Sequence, residues 1–178
     1  MNPTDLIWKY YADNEPLREL LLLHSRQVAQ RALEIAGRHP ELHLDTAFVE
    51  QAAMLHDIGI FMTHAPGIHC HGEHPYLLHG YLGAQLMRQE GLHRVARVCE
   101  RHTGTGLTAQ NIIEQCLPLP VGDYRPETIE EKLICYADKF FSKSGDMKEK
   151  TPEHILASIQ KHFPESLPRF LELRDMFE

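Results

Sequence analysis

The amino-acid sequence predicts an all-α fold. Apolar residues recur at helical spacing in segment after segment, and Pro, Thr and Gly stand at the segment ends. No segment sustains the alternation and β-branched enrichment of a strand, so no sheet is expected. At 178 residues the chain has the size of one domain. Folding at this length buries roughly 70% of the unfolded surface, enough for a core without staples.

The elements follow in order. Pro3 to Ala12 reads as a short first helix. Pro16, at a first helical position, opens a long helix ending near Gly37. Asp45 or Thr46 caps a helix reaching Asp57, with Gly59 as the stop. Ile60 to His74 breaks the pattern. It holds Pro66, Gly67, Gly72, Cys70 and the histidines His64, His69, His71 and His74, and reads as a long loop of the kind that carries function. Pro75 opens the next helix, which ends at Gly91. Leu92 to His102 is a short helix broken by Thr103-Gly104-Thr105-Gly106. Thr108 caps a helix to about Cys116, and Pro118 to Pro126 is a loop. Thr128 with Glu131 forms a capping box for a helix to about Ser142. Thr151-Pro152 and Ser166 start two C-terminal helices. The expected organisation is a single domain over 1–178, with a core at about 17–142 and the helices within 152–177 packing on it.

Composition excludes several classes. Hydrophobic residues make up 43% and charged residues 24%, which argues against disorder. A net charge of −7 repels phosphate backbones and anionic lipid, so general nucleic-acid binding is not expected, although a local basic pocket stays open. The longest aliphatic run, Leu20 to Leu23, is far short of the roughly 20 residues of a membrane span. The first residues lack a basic, then apolar, secretion signal. Cys70, Cys99, Cys116 and Cys135 form no CxxC, which points to a reducing, cytoplasmic setting.

The chain has 13 histidines, 11 of them between His24 and His102. Their placement matters more than their number. His24 shares a stripe with Leu17, Leu21, Val28 and Ile35. His56 follows Val49, Ala52 and Ala53, with Asp57 beside it. His79 lines up with Leu82, Gly83 and Leu86, His102 with Leu92, Val95 and Cys99, and Asp138 with Ile134 and Phe141. Each of five helices thus turns a His or Asp inward. A lone inward histidine is usually a hydrogen-bonded core residue. Two carboxylates and four imidazoles buried together repel and cost several kcal/mol unless a cation joins them. Six such ligands exceed one tetrahedral ion and suit two octahedral metals bridged by a carboxylate and a water or hydroxide.

At these residues the chain resembles the HD-domain superfamily of metal-dependent phosphohydrolases, small prokaryotic HDIG-type members in particular. The motifs are His24-Ser25-Arg26-Gln27, His56-Asp57-Ile58-Gly59 and Tyr136-Ala137-Asp138-Lys139, with His79-Gly80-Tyr81 and Arg101-His102-Thr103 matching the subset that binds two metals. The resemblance implies an HD-type helical bundle. It implies one metal on His24, His56, Asp57 and Asp138, and a second, bridged by Asp57, on His79 and His102. Iron, manganese, cobalt or zinc would suit these ligands. The Gly-Tyr-Pro signature of the cyclic-di-GMP branch is absent.

The expected reaction is hydrolysis of a phosphate ester or anhydride, with a nucleotide as the expected small phosphorylated substrate and a metal-bridging hydroxide as the nucleophile. Asp57 positions that hydroxide, and Lys139 neutralises phosphoryl charge. Arg101, Thr103, Gly104, His64, His69 and His71 are candidate substrate contacts; for the Thr-Gly pair the plain alternative is a helix stop, and for the loop histidines, exposure to solvent. Two other readings stay open: a di-iron oxygenase on the same scaffold, and a non-catalytic nucleotide- or metal-binding regulator. The C-terminal helices either cap the core or make a homodimer contact.

Overall fold

The computed structural model describes residues 2–178. Its helices are α1 (Pro3–Tyr10), α2 (Glu15–Arg38), α3 (Thr46–Leu55), α4 (His79–Gln89), α5 (His93–Arg101), α6 (Ala109–Glu114), α7 (Ile129–Asp138), α8 (Pro152–His162) and α9 (Leu167–Phe177). The architecture is helical, as the apolar periodicity requires. Caps fall where side-chain chemistry places them. Asn14 Oδ1 accepts from the Leu17 N–H at 3.2 Å and Asp45 Oδ1 from the Phe48 N–H at 3.1 Å, satisfying donors that a helix start leaves free.

The long α2 packs on α3 and α7, and α4 pairs with α5. The shared core includes Leu17, Leu21, Val49, Leu55, Ala96 and Ile134, all essentially inaccessible to solvent. Phe170 and Phe177 of α9 lie against Tyr136 of α7, with ring centroids 5.7 Å apart in both pairs.

The capping box at α7 is present, and Glu131 does more than cap. It is 3% exposed, accepts from the Glu127 N–H at 2.7 Å and receives Arg97 Nε at 2.7 Å, tying α5 to α7. Thr128→Ala removes the acceptor for the Glu131 N–H and is expected to cost about 1 kcal/mol. Chemical denaturation would show this as a lower midpoint at unchanged slope.

Three boundaries differ from the sequence expectation. First, the 60–74 segment contains a small sheet, with strands β1 (Thr63–Ala65), β2 (Cys70–His71) and β3 (His74–Pro75) in the order β2-β1-β3. β1 pairs antiparallel with β2 (His64 opposite His71) and parallel with β3 (Thr63 opposite His74). Strands of two or three residues are too short to show alternation. Gly72 permits the close return, since a Cβ there would lie 2.1 Å from the Met62 carbonyl carbon. Second, Pro75 is extended and a 3-10 turn, Tyr76–Leu78, precedes α4, which starts at His79. Third, α7 ends at Asp138. The Lys139, Phe140 and Phe141 N–H groups bond three residues back and tighten the chain beyond the α-helix.

Candidate metal centre

Four helix ends and one helix interior meet at a single buried point. His24 lies within α2, His56 and Asp57 just after α3, His79 at the start of α4, His102 just after α5 and Asp138 at the end of α7. His24, His56 and Asp57 are fully buried, His79 is 5% exposed and His102 2%. The six residues form two groups that share Asp57: His24, His56, Asp57 and Asp138, and Asp57, His79 and His102. Within each, the ligand atoms lie within 4.8 Å of one another.

The carboxylate of Asp57 faces both groups with different oxygens. Its Oδ2 is 3.1 Å from His24 Nε2 and 3.2 Å from His56 Nε2. Its Oδ1 is 3.3 Å from both His79 Nε2 and His102 Nε2. Asp138 Oδ1 closes the first group, 3.1 Å from His24 Nε2 and 3.4 Å from His56 Nε2.

Local helical structure aims three of the imidazoles. His56 Nδ1 donates to the Ala53 carbonyl at 2.6 Å, His79 Nδ1 to that of Tyr76 at 2.7 Å and His102 Nδ1 to that of Cys99 at 2.7 Å. Each ring uses the carbonyl three residues earlier. That fixes the tautomer and directs the Nε2 lone pair inward, the arrangement by which outer contacts orient metal-binding histidines.

The electrostatics call for a cation. Burial pushes His79 down to about 3 and also lowers His102, so both rings are neutral and their Nε2 lone pairs face each other at 3.0 Å. For His56, burial also pulls downward, but the neighbouring Asp57 and Asp138 carboxylates outweigh it and raise the imidazole to about 9. Burial pushes the Asp57 and Asp138 carboxyls upward; nearby lysines and histidines reverse this and hold both well below the usual carboxylate range. His56 Nε2, Asp57 Oδ1 and Asp138 Oδ1 are buried without a hydrogen-bond partner. Native interiors rarely leave such polar atoms unsatisfied, and divalent cations at the two groups would satisfy them. The donor set therefore fits divalent metal.

Lys143 was not anticipated from the sequence. Its Nζ donates to Asp57 Oδ2 at 2.5 Å and lies 3.4 Å from His24 Nε2, so an ammonium already answers part of the negative charge. It follows Asp138 by five residues in a basic stretch with Lys139, the one signal that pointed to it. Lys139 Nζ donates to Asp138 Oδ2 at 3.0 Å and to the His102 carbonyl at 3.3 Å, which holds it at the centre.

A mouth of about 460 Å³ leads to Asp138, lined by Ala65, Pro66, Tyr76, Phe141 and Lys143 among others. Tyr76 stacks on the His79 ring at 4.8 Å. A larger cavity of about 860 Å³, bordered by Phe48, Gln51 and Arg94, contains none of the six residues.

The other candidate contacts separate. Thr103 and Gly104 line a further cavity together with Lys139. Arg101 is committed elsewhere, donating to the Arg125 carbonyl at 2.6 Å and pairing with Glu127 at 3.0 Å. His64, His69 and His71 are exposed on the small sheet and its turn, and none lines the mouth.

Among known proteins, the HD domain family model matches residues 21–142. A tRNA (cytidine(56)-2'-O)-methyltransferase of Thermoplasma volcanium is 31% identical over 170 residues, 95% of this chain and 44% of that protein. The protein of the same name in Picrophilus torridus is 35% identical over 130 residues, 72% of this chain and 33% of that one. An uncharacterized protein of Methanocaldococcus jannaschii is 36% identical over 123 residues, 67% of this chain and 65% of its own. The chain thus spans less than half the length of the two methyltransferases. No solved structure matches.

Proposed function

The chain belongs to the HD-domain family, and from that premise we propose that it is a metal-dependent phosphohydrolase acting on a small phosphorylated substrate. The observation that carries this reading is the Asp57 carboxylate, which turns one oxygen to His24 and His56 and the other to His79 and His102. On this reading His24, His56, Asp57 and Asp138 hold one divalent ion, and Asp57, His79 and His102 a second. Such ions supply Lewis acidity, a lowered pKa for water and a counter-charge for phosphoryl oxygens.

The protein's own groups do the rest. Asp57 holds the two halves in register and is kept ionised by its surroundings. Lys139 fixes Asp138 and adds positive charge beside it. Lys143, 15% exposed at the mouth, faces an incoming phosphate and neutralises charge that develops on it. Burial of the imidazoles keeps bulk water from competing for these contacts.

The relatives named as tRNA methyltransferases bring RNA methylation as a competing role. Transfer of a methyl group needs a bound methyl donor next to the acceptor hydroxyl. A nest of imidazoles and carboxylates supplies neither, and a net charge of −7 opposes a polyanion. We therefore read hydrolysis as this chain's own chemistry. The test is phosphate release from a panel of nucleotides and sugar phosphates, with manganese, cobalt, zinc or ferrous iron added to stripped protein. Metal-dependent release abolished by a chelator is expected. No release from any compound with any of the four metals would overturn the reading.

A further inference from the structure

The further cavity lined by Thr103, Gly104 and Lys139 has a volume of about 480 Å³. Consecutive residues border the two spaces: Tyr76 and Asp138 line the mouth, and Leu77 and Lys139 line this cavity. The Thr103–Gly106 turn forms one wall. Lys150, α8 and the start of α9 form another, and these lie beyond residues 21–142 matched by the family model.

The lining combines two chemistries. Leu107, Ile155, Ile159 and Phe163 give it apolar walls, and Phe163 is 59% exposed although it is a large aromatic residue. Lys139, Lys150 and Arg169 bring three cations, against one lining carboxylate, Glu165. Arg169 is held in place, with Nε donating to Thr105 Oγ1 at 3.3 Å and Nη2 to the Gly106 carbonyl at 3.2 Å. The half-buried Lys150 ammonium has neither a hydrogen bond nor an ion pair among the described residues. Burial, together with repulsion from Lys139 and Lys143, pushes it below its usual range, outweighing attraction from Asp138. Clustered cations on apolar walls beside a reaction centre form the pattern of a site for an amphipathic anion.

We propose that this cavity binds the non-reacting part of the substrate: an aromatic or apolar body joined to an anionic group, with Lys150 and Arg169 meeting the anion and Phe163 covering the ring. Nucleoside diphosphates are of this class. The proposal names the substrate class for the phosphohydrolase reading and rests on it only in calling the ligand a substrate.

The test is therefore a binding measurement without metal or turnover. Calorimetric titration of chelator-stripped protein with ADP, GDP, CDP and UDP is compared with the parent nucleosides, which lack the anion, and with inorganic pyrophosphate, which lacks the apolar body. At least one diphosphate is expected to bind about tenfold or more tightly than its nucleoside and than pyrophosphate. Lys150→Met and Arg169→Met should each weaken that binding about tenfold, and Lys150→Arg should restore most of it. Phe163→Ala, at an exposed position, should weaken the diphosphate several-fold and leave pyrophosphate unchanged. Lys161→Met, an exposed charge of α8 outside the cavity, should alter nothing. Unchanged melting temperatures would separate lost binding from lost folding. If no diphosphate exceeds both its fragments, or if binding ignores Lys150→Met and Arg169→Met, the proposal is overturned. Binding through Lys150 in a protein that releases no phosphate with any metal would sustain the cavity and sink the hydrolase.

Discussion

Asp57→Ala is expected to abolish phosphate release, by about 10³-fold or more, and to empty both metal positions at once. Of the six residues, Asp57 is the one that belongs to both groups. Its Oδ2 approaches His24 and His56, its Oδ1 approaches His79 and His102, and Lys143 rests on it. Without it, the His79–His102 pair loses the one carboxylate grouped with it among the described residues, and two neutral rings hold a divalent ion weakly. Lys143 loses its closest counter-charge. Asp57→Asn keeps the shape while removing the charge and is expected to behave the same way, which separates electrostatics from a cavity left in the core. Elemental analysis and phosphate release on the same preparations check this. Retention of both metals, or of more than a tenth of the turnover, would remove Asp57 from its bridging place.

Gly80→Ala is expected to lower stability by about 3 kcal/mol or more and to disable the His79–His102 half of the centre selectively. Gly80 lies where α4 crosses α5. A Cβ there would sit 2.3 Å from the Cys99 carbonyl oxygen, a distance real Cβ atoms essentially never show. That oxygen accepts the His102 Nδ1–H at 2.7 Å and so aims the ring. One methyl group would therefore push the helices apart and release His102 from its orientation, next to a His79 partner only 3.0 Å away. Thermal unfolding should fall by roughly 6–12 °C. Metal content should drop by about one ion per chain, with the ion at His24, His56 and Asp138 kept. Gly37→Ala, in α2 with open space where the Cβ would go, is the control and should be neutral or slightly stabilising.

Part of this arrangement was legible in the sequence because helices have a period. His24, His56, His79 and His102 sit in register with apolar neighbours, so their burial is legible from spacing alone, and a six-ligand cluster follows from the cost of burying such groups unpaired. Caps were equally legible, since Asp45 and the Thr128–Glu131 box act through local chemistry. Lys143, Lys150 and Arg169 were not. The two lysines lie in a connection without periodicity, and Arg169 sits at the start of a helix whose packing the sequence leaves open. Arg101 shows the converse. Its place beside His102 in sequence suggested a phosphate contact, yet the side chain turns to Arg125 and Glu127. Short strands such as Cys70–His71 are set by tertiary pairing and a close glycine, which no alternation pattern records.

The most direct test of the two-ion account is metal stoichiometry, measured by elemental analysis on untagged protein purified without chelator and without oxygen. The account predicts about two divalent ions per chain in the wild type and about one in His79→Ala and in His102→Ala. One ion in the wild type, unchanged by either substitution, would contradict it and make those histidines substrate-facing; none in any preparation would remove metal from the chemistry altogether.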